Sequence, residues 1–389
     1  MIQINKKLYS WASIIEPNTE AQAITTSSMP FIWHHYALMP DAHLGAGATV
    51  GSVIPTLGAI MPAAVGVDIG CGMIAIKTQF TKEDLILRDL KTLRESIERS
   101  IPLSAGAYNL DIKETAKSKI TELEAKAGDR LKFYDGFKND WRVQLGTLGS
   151  GNHFIEVSLD EKDSVWLFLH SGSRGIGNKI ATYHIKIAQD LCKRWFIPLP
   201  DPDLAYLIDG TKEFGNYITD LNWAQLFALL NREEMMDRLI NDFEHWIGRK
   251  TEEQERINCH HNFTLKEHHF GKDVWLSRKG AIQADAGRLG LIPGSMGTAS
   301  YVVEGLGNHL AFDSSPHGAG RVYSRSVARR KFTFDDLETA MEGIEYRKTD
   351  AFLDEIPAAY KDIDQVMEDA KDLVKVKHTL HQILNVKGD

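Results

Sequence analysis

One run of apolar residues limits how this chain can be built. Ile54 to Gly66 carries a single polar side chain, Thr56, so most of the run has to be buried. It leads into Val65 to Gly72, where Asp68 and Cys71 stand three residues apart among glycines. An acid and a thiol seldom end a buried run for packing reasons alone. A thiolate can bridge two cations, and a carboxylate beside it adds a hard oxygen to the same site. Glycines let the backbone come close to a bound group.

Composition narrows the class. Length alone suggests two or three domains, although single catalytic domains of 389 residues occur. With 43% hydrophobic and 25% charged residues, the chain has the make-up of a soluble globular protein. A formal net charge of −8 does not suit a protein that coats long nucleic acid, which is held by Lys and Arg on phosphates. It leaves room for a short nucleic-acid end in a basic pocket, and Arg321, Arg325, Arg329, Arg330 and Lys331 form such a local cluster. Three cysteines, widely spaced and odd in number, imply no disulfide framework and point to a reducing cytoplasm. The start, MIQINKKLYSW, lacks the apolar stretch of a signal peptide, and no run is long enough to span a membrane.

Periodicity gives a coarse map. Residues 30–80 read as short apolar strands joined by Gly and Pro turns. Thr81 to Asp84 resembles a helix start, with Ile86, Leu90, Leu93 and Ile97 forming one apolar face. A more polar helix is expected over 113–127, and a flexible glycine loop over 146–151. Val165 to Leu169 reads as a buried strand ending at His170. Residues 178–195 read as a helix with the stripe Ile180, Tyr183, Ile187 and Leu191, and 221–247 as another helix. Residues 196–220 and 248–256 look like loops, and 200–255 like a helical insertion. Strands return from 273, and helices near 334–343 and 362–375. Short strands interrupted by helices without a strict β-α rhythm predict an α+β or mixed α/β fold.

Several polar residues sit in glycine-flanked loops. Asp41 and His43 lie in Met39 to Gly45, where a backbone-capping turn would explain Asp41 taken alone. His153 follows the glycine loop. His170 opens a Gly/Ser loop containing Arg174, a composition suited to phosphate. His260 and His261 follow Cys259; in a strand they face opposite ways, so at most one belongs to a given site. Pro293 to Gly297 with Ser300 forms another phosphate-type loop, and His317 stands in Ser315 to Arg321. His34, His35, His184, His245, His268, His269, His309, His378 and His381 lack such surroundings and read as structural. One Asp, one Cys and several His together describe a dinuclear transition-metal site, and the phosphate-type loops suggest phosphoryl chemistry.

The sequence closely resembles the RtcB-type RNA-splicing ligases. The motifs run in order through MPDAHLGAGATVGSVIP, GAIMPAAVGVDIGCGM, LGTLGSGNHFIEV, HSGSRGIGN, NCHHN, RKGA, LIPGSMGTASY, SSPHGAGRV, EIPAAYKDID and the terminal VKG. The resemblance implies one large catalytic domain over 1–389, built of mixed sheets around the dinuclear site. It implies joining of an RNA 3′-phosphate or 2′,3′-cyclic phosphate end to a 5′-hydroxyl end, using GTP and two Mn²⁺ through a guanylylated histidine. By position, Cys71 would bridge the metals, with Asp68 and His153 on the first and His170 and His261 on the second. His317 would take GMP, and Asp41 would orient it. The guanine nucleotide would contact Asn152, His153, Phe154, Ile155, Glu156, His261, Asn262, Pro293, Gly294, Ser295, Met296, Ser300, His317, Gly318, Ala319, Gly320 and Lys387. Arg174 and Arg321 would hold RNA phosphates. Archease-type helper proteins serve some members of the family.

The main alternative is a dinuclear metallophosphoesterase acting on nucleotide or RNA 3′-end phosphates. It needs the metals but no nucleotidylated His317. A non-catalytic protein that binds RNA ends or metal is a third reading, which the intact nucleophile loop and Lys387 oppose. A purely structural role is the weakest, since packing alone does not maintain so many polar residues in glycine loops.

Overall fold

Two large β-sheets carry the fold of the computed structural model, which describes residues 1–389. In chain order the strands of these two sheets are β1 (Ile2–Asn5), β2 (Leu8–Ser10), β3 (Tyr36–His43), β4 (Val50–Thr56), β5 (Gly72–Thr81), β6 (Phe154–Leu159) and β7 (Ser164–Ser171). They continue with β8 (Glu253–His260), β9 (Asn262–His269), β10 (Lys272–Lys279), β11 (Leu289–Ile292), β12 (Ser300–Gly305) and β13 (Val374–Lys387). One sheet has the order β1-β2-β3-β4-β10-β9 and the other β8-β5-β7-β6-β13-β12-β11. Within these two sheets only β2 and β3 pair in parallel. The helices used below are α1 (Pro17–Ser27), α2 (Leu90–Ser100), α3 (Lys117–Ala127), α4 (Arg174–Arg194), α5 (Lys212–Ile247), α6 (Arg325–Lys331), α7 (Phe334–Ala340) and α8 (Ile363–Asp369). This is the α+β, mixed architecture that the sequence predicts.

Side-chain alternation explains the layering. Met73, Ala75, Trp166 and Phe168 point into a core shared with Val53, Val274 and Leu276 of the other sheet. Their neighbours Ile74, Ile76, Leu167 and Leu169 point the other way, into a core with Leu93 of α2 and Met235, Met236 and Leu239 of α5. The continuous apolar run at Val165–Leu169 follows, because both faces of this sheet are covered. Each such side chain contributes about 1.5–3 kcal/mol when taken fully from water. On the far side of the first sheet, Leu38 and Ile54 pack with Ala23 of α1. The run from Ile54 is buried as expected, and turns through Pro62–Val65 toward Asp68.

Some boundaries differ from the sequence reading. The start at Thr81 is a true capping box with Asp84, but that helix ends at Leu85, and α2 begins again behind an Asp89 cap. Ile86 is therefore exposed, while Leu93 and Ile97 are buried. The helix expected from 178 begins at Arg174, and its buried face carries His184 where Tyr183 was expected. Helix α5 starts at Lys212, nine residues before the expected start at 221. Thr211 caps it by accepting from Phe214 N, and Gly215 is accommodated at an exposed helical position. Residues 362–375 divide into α8 and the first residues of β13, where the alternating Val374-Lys375-Val376-Lys377 favours a strand. The basic stretch from Arg325 forms α6. No helix is long and apolar enough to cross a membrane.

Candidate metal centre and nucleotide pocket

Strand register brings the polar residues together at one end of the second sheet. Gly72 pairs with Ser171 and His260, His170 pairs with Met73 and Phe154, and Phe154 pairs with Lys387. Cys71, His153, His170 and His261 thus sit on adjacent strand ends. Cys71 Sγ lies 3.3 Å from Nε2 of His153 and 3.3 Å from Nε2 of His170. His261 Nε2 is 2.8 Å from His170 Nε2, and Asp68 Oδ2 is 3.2 Å from His153 Nε2. Gly172 makes room for this: a Cβ there would collide with the Asp68 carboxylate.

Acceptors stand behind each ring, and they fix the tautomers of His170 and His261. His153 Nδ1 faces the Leu148 carbonyl at 2.9 Å, His170 Nδ1 the Asn152 carbonyl at 3.1 Å, and His261 Nδ1 the Asn262 Oδ1 at 3.2 Å. A neutral imidazole that donates from Nδ1 carries a lone pair on Nε2. The Nε2 lone pairs of His170 and His261 therefore converge on the Cys71 sulfur, with only its thiol proton to share among them. A cation resolves that arrangement, and an outer oxygen on each ligating histidine is the usual support for metal binding. Soft sulfur, imidazole and one carboxylate suit a transition metal rather than Mg²⁺ or Ca²⁺.

Local electrostatics agree. Burial, then neighbouring histidines, hold His170 and His261 well below the usual imidazole range, so both are neutral and able to ligate. Burial pushes the Asp68 carboxyl up, but His153, Arg174 and the Ser173 N–H together outweigh it and keep Asp68 ionised. Burial and the Asp68 charge drive the Cys71 thiol well up, so its thiolate needs a positive partner.

His317 stands beside this cluster, with its ring centroid 4.5 Å from that of His261. Its Nδ1 lies 2.6 Å from Asp41 Oδ2, which also accepts from the His317 backbone N–H at 3.2 Å. Asp41 is fully buried, and its other oxygen has no hydrogen-bond partner. The Asp41 contact leaves His317 Nε2 free. Gly320, at φ +75°, lets the loop lie against the Asp41 backbone, where a Cβ would clash.

A cavity of about 260 Å³ opens in front of His317. Asn152, Phe154, Glu156, His170, His261, Asn262, Pro293 to Met296, His317 to Arg321 and Lys387 line it. Ile155 points into the opposite core, and Ser300 is buried outside the cavity lining. Burial pushes the Glu156 carboxyl up to about 8, partly offset by Lys387, Ser300 and Asn385. Burial also lowers Lys387, partly offset by Glu355 and Glu156. Arg321 lines the cavity and is braced by Glu355, Tyr360 and the Asp354 carbonyl. Arg174 lies behind His153, with Nη1 3.2 Å from its Nδ1 and Nε 3.3 Å from Thr147 Oγ1, where the Asp68 charge compensates it. The glycine loop 146–151 is pinned as well: Gly146 N donates to Asn231 Oδ1 at 2.7 Å and Leu148 N to the Pro102 carbonyl at 3.0 Å.

His260, the partner of His261, turns away as alternation requires, and its Nδ1 lies 2.8 Å from the Gly70 carbonyl. Arg325 of the basic cluster lines the cavity, as do His43, Lys279, Glu355, Tyr360 and Asn385, to which sequence reasoning gave no role. Most of these lie inside the motifs quoted above. Asn385 carries no such signal; the strand pairing of β13 with β6 brings it in, opposite Glu156.

Comparison with known proteins gives one answer. A family model described as tRNA-splicing ligase RtcB matches residues 22–388. The RNA-splicing ligase RtcB of Escherichia coli K12 is 48% identical over 398 aligned positions, covering 98% of this chain and 97% of the relative. The tRNA-splicing ligase RtcB of Pyrobaculum aerophilum is 32% identical over 433 positions, covering 94% and 89%. That of Thermococcus kodakarensis is 31% identical over 438 positions, covering 94% and 91%.

Proposed function

The chain belongs to the RtcB family of RNA-splicing ligases, and we propose that it joins RNA 3′-phosphate or 2′,3′-cyclic phosphate ends to 5′-hydroxyl ends, using GTP and two Mn²⁺. The observation that carries this reading is His317, with Nδ1 held by buried Asp41 and Nε2 free beside the metal-type cluster. Imidazole is a competent nucleophile toward phosphorus when one nitrogen is free and the other is held. His317 Nε2 attacks the α-phosphorus of GTP; the N–P bond forms and the P–O bond to pyrophosphate breaks. Asp41 fixes the tautomer and balances the charge that develops on the ring. The histidine-bound GMP passes to the RNA 3′-phosphate, which breaks the N–P bond and forms a phosphoanhydride. The 5′-hydroxyl then attacks the 3′-phosphorus and GMP leaves. A cyclic phosphate is first opened by water.

Asp68, Cys71, His153, His170 and His261 would hold the two ions, with Cys71 shared between them. Bound there, the ions would supply charge neutralisation at phosphoryl oxygens. Glu156 and Lys387 provide a polar cavity wall suited to a purine base and its hydrogen-bonding edge. Arg321, at the cavity wall, is suited to RNA phosphate. Dependence on a thiolate fits a reducing compartment such as the cytoplasm.

The test is direct. Purified protein with GTP, Mn²⁺ and an RNA pair bearing 2′,3′-cyclic phosphate and 5′-hydroxyl ends should yield joined product. Hydrolysis of the 3′ end without joining, whether or not GTP is present, would support a phosphoesterase instead.

A further inference from the structure

Helix α5 passes behind the ligand cluster, and two consecutive residues of it, Asn231 and Arg232, are fully buried there. No motif in the sequence points to them. Arg232 Nη1 donates to the carbonyls of Gly70 at 2.8 Å and Ser171 at 3.2 Å, and Nε donates to Asn258 Oδ1 at 2.8 Å. Its Nη2 lies 3.1 Å from His260 Nδ1. Gly70, Ser171 and His260 are the chain neighbours of Cys71, His170 and His261.

Asn231 grips the remaining side. Its Oδ1 accepts from Gly146 N at 2.7 Å and Thr147 N at 3.2 Å. Its Nδ2 donates to the carbonyls of Thr147 and Gly172 and to Ser171 Oγ, at 3.2, 3.1 and 3.3 Å. Ser171 Oγ in turn donates to the Leu148 carbonyl at 2.8 Å, the same oxygen that His153 Nδ1 faces. Arg232 has no ion-pair partner; its N–H groups meet two backbone carbonyls, an amide oxygen and an imidazole nitrogen, all next to the cluster-bearing segments.

We propose that Asn231 and Arg232 act as a latch on α5 that fixes the four backbone segments bearing Cys71, His153, His170 and His261, which makes Arg232 a positioning residue for the metal centre. The inference rests on the metal-site reading above. Second-sphere partners of this kind change metal affinity about 10–100-fold when lost. Metal binding, unlike fold stability, reports on the latch itself.

The experiment titrates the full-length chain with Co²⁺ alone, following affinity and the thiolate-to-Co²⁺ absorption band. Wild type should bind two Co²⁺ with a clear thiolate band. Arg232→Met, with unchanged circular dichroism, should bind about 10–100-fold more weakly and lose much of the band. Arg232→Lys keeps the charge but not the fork of donors, so it should remain impaired. Because Arg232→Met removes a buried charge and could unfold the chain, Asn258→Ala gives a milder second variant. It loosens one Arg232 contact from a partly buried strand position and should weaken binding about threefold. Wild-type affinity and spectrum in both Arg232→Met and Asn258→Ala would overturn the latch, as would full rescue by Lys. Absence of Co²⁺ binding by wild type would instead overturn the metal-site reading, and the latch with it.

Discussion

His184 on α4 and His170 at the end of β7 are both buried imidazoles among polar groups, and they differ in what faces their Nε2. His184 Nε2 meets Asp220 Oδ2 at 2.7 Å. Asp220 also takes Arg130 Nε at 2.8 Å and the Tyr134 hydroxyl at 2.9 Å. Donors there answer the Asp220 acceptors, although His184 Nδ1 and the nearby Tyr217 hydroxyl lack partners. His170 Nε2 meets the Cys71 sulfur at 3.3 Å and another Nε2 at 2.8 Å, with the thiol proton the one hydrogen the three can share. The first cluster sets Arg, Tyr and His donors around one carboxylate, while the second sets imidazoles and a sulfur against one another. Balance makes the α4–α5 cluster a structural clamp, and imbalance makes the sheet-end cluster a place for a cation.

Substitutions should separate the two regions. The largest effect is expected from Cys71→Ala, which should take metal content from two ions per chain to less than one by elemental analysis. The melting temperature of the metal-free protein should change little. Two metals still bound would rule out bridging. Asp220→Ala should do the opposite. It strands the buried His184 and should cost about 3–5 kcal/mol in urea unfolding. The folded fraction should keep its metals, and a loss of metals matching the loss of stability would dissolve the contrast.

A smaller effect is expected at Glu156. Its folded-state value near 8 lies above the unfolded one, so the folded protein binds more protons between roughly pH 4.5 and 8, and stability falls as pH rises through that window. Glu156→Gln should flatten this fall, measured by urea unfolding at several pH values. An unchanged slope would mean that Glu156 is ionised in the folded state.

The sequence made the His/Cys cluster legible because each of its residues sits in or beside a short glycine-containing segment, and strand-end glycines are a local signal. His170 was readable for a second reason, since it ends the buried run Val165–Leu169. Arg174 was not, because its partners Asp68 and Thr147 are distant in sequence and draw it behind His153. Asn231 and Arg232 escaped for the same reason: a polar residue on a long amphipathic helix looks solvated until the helix is docked. The early start of α5 was hidden by Gly215, which weakens a helix by about 1 kcal/mol but does not end one that Thr211 caps and tertiary packing supports. Strand β13 was obscured because Val374 to Lys377 follows helix α8 after a turn of only four residues.

Whether His317 takes the nucleotide while the neighbouring cluster holds the metals is decided by incubating the protein with α-labelled GTP and Mn²⁺, followed by denaturing electrophoresis. Wild type should retain covalent label, and His317→Ala should retain none while still holding two metals. Label that survives in His317→Ala would contradict the account.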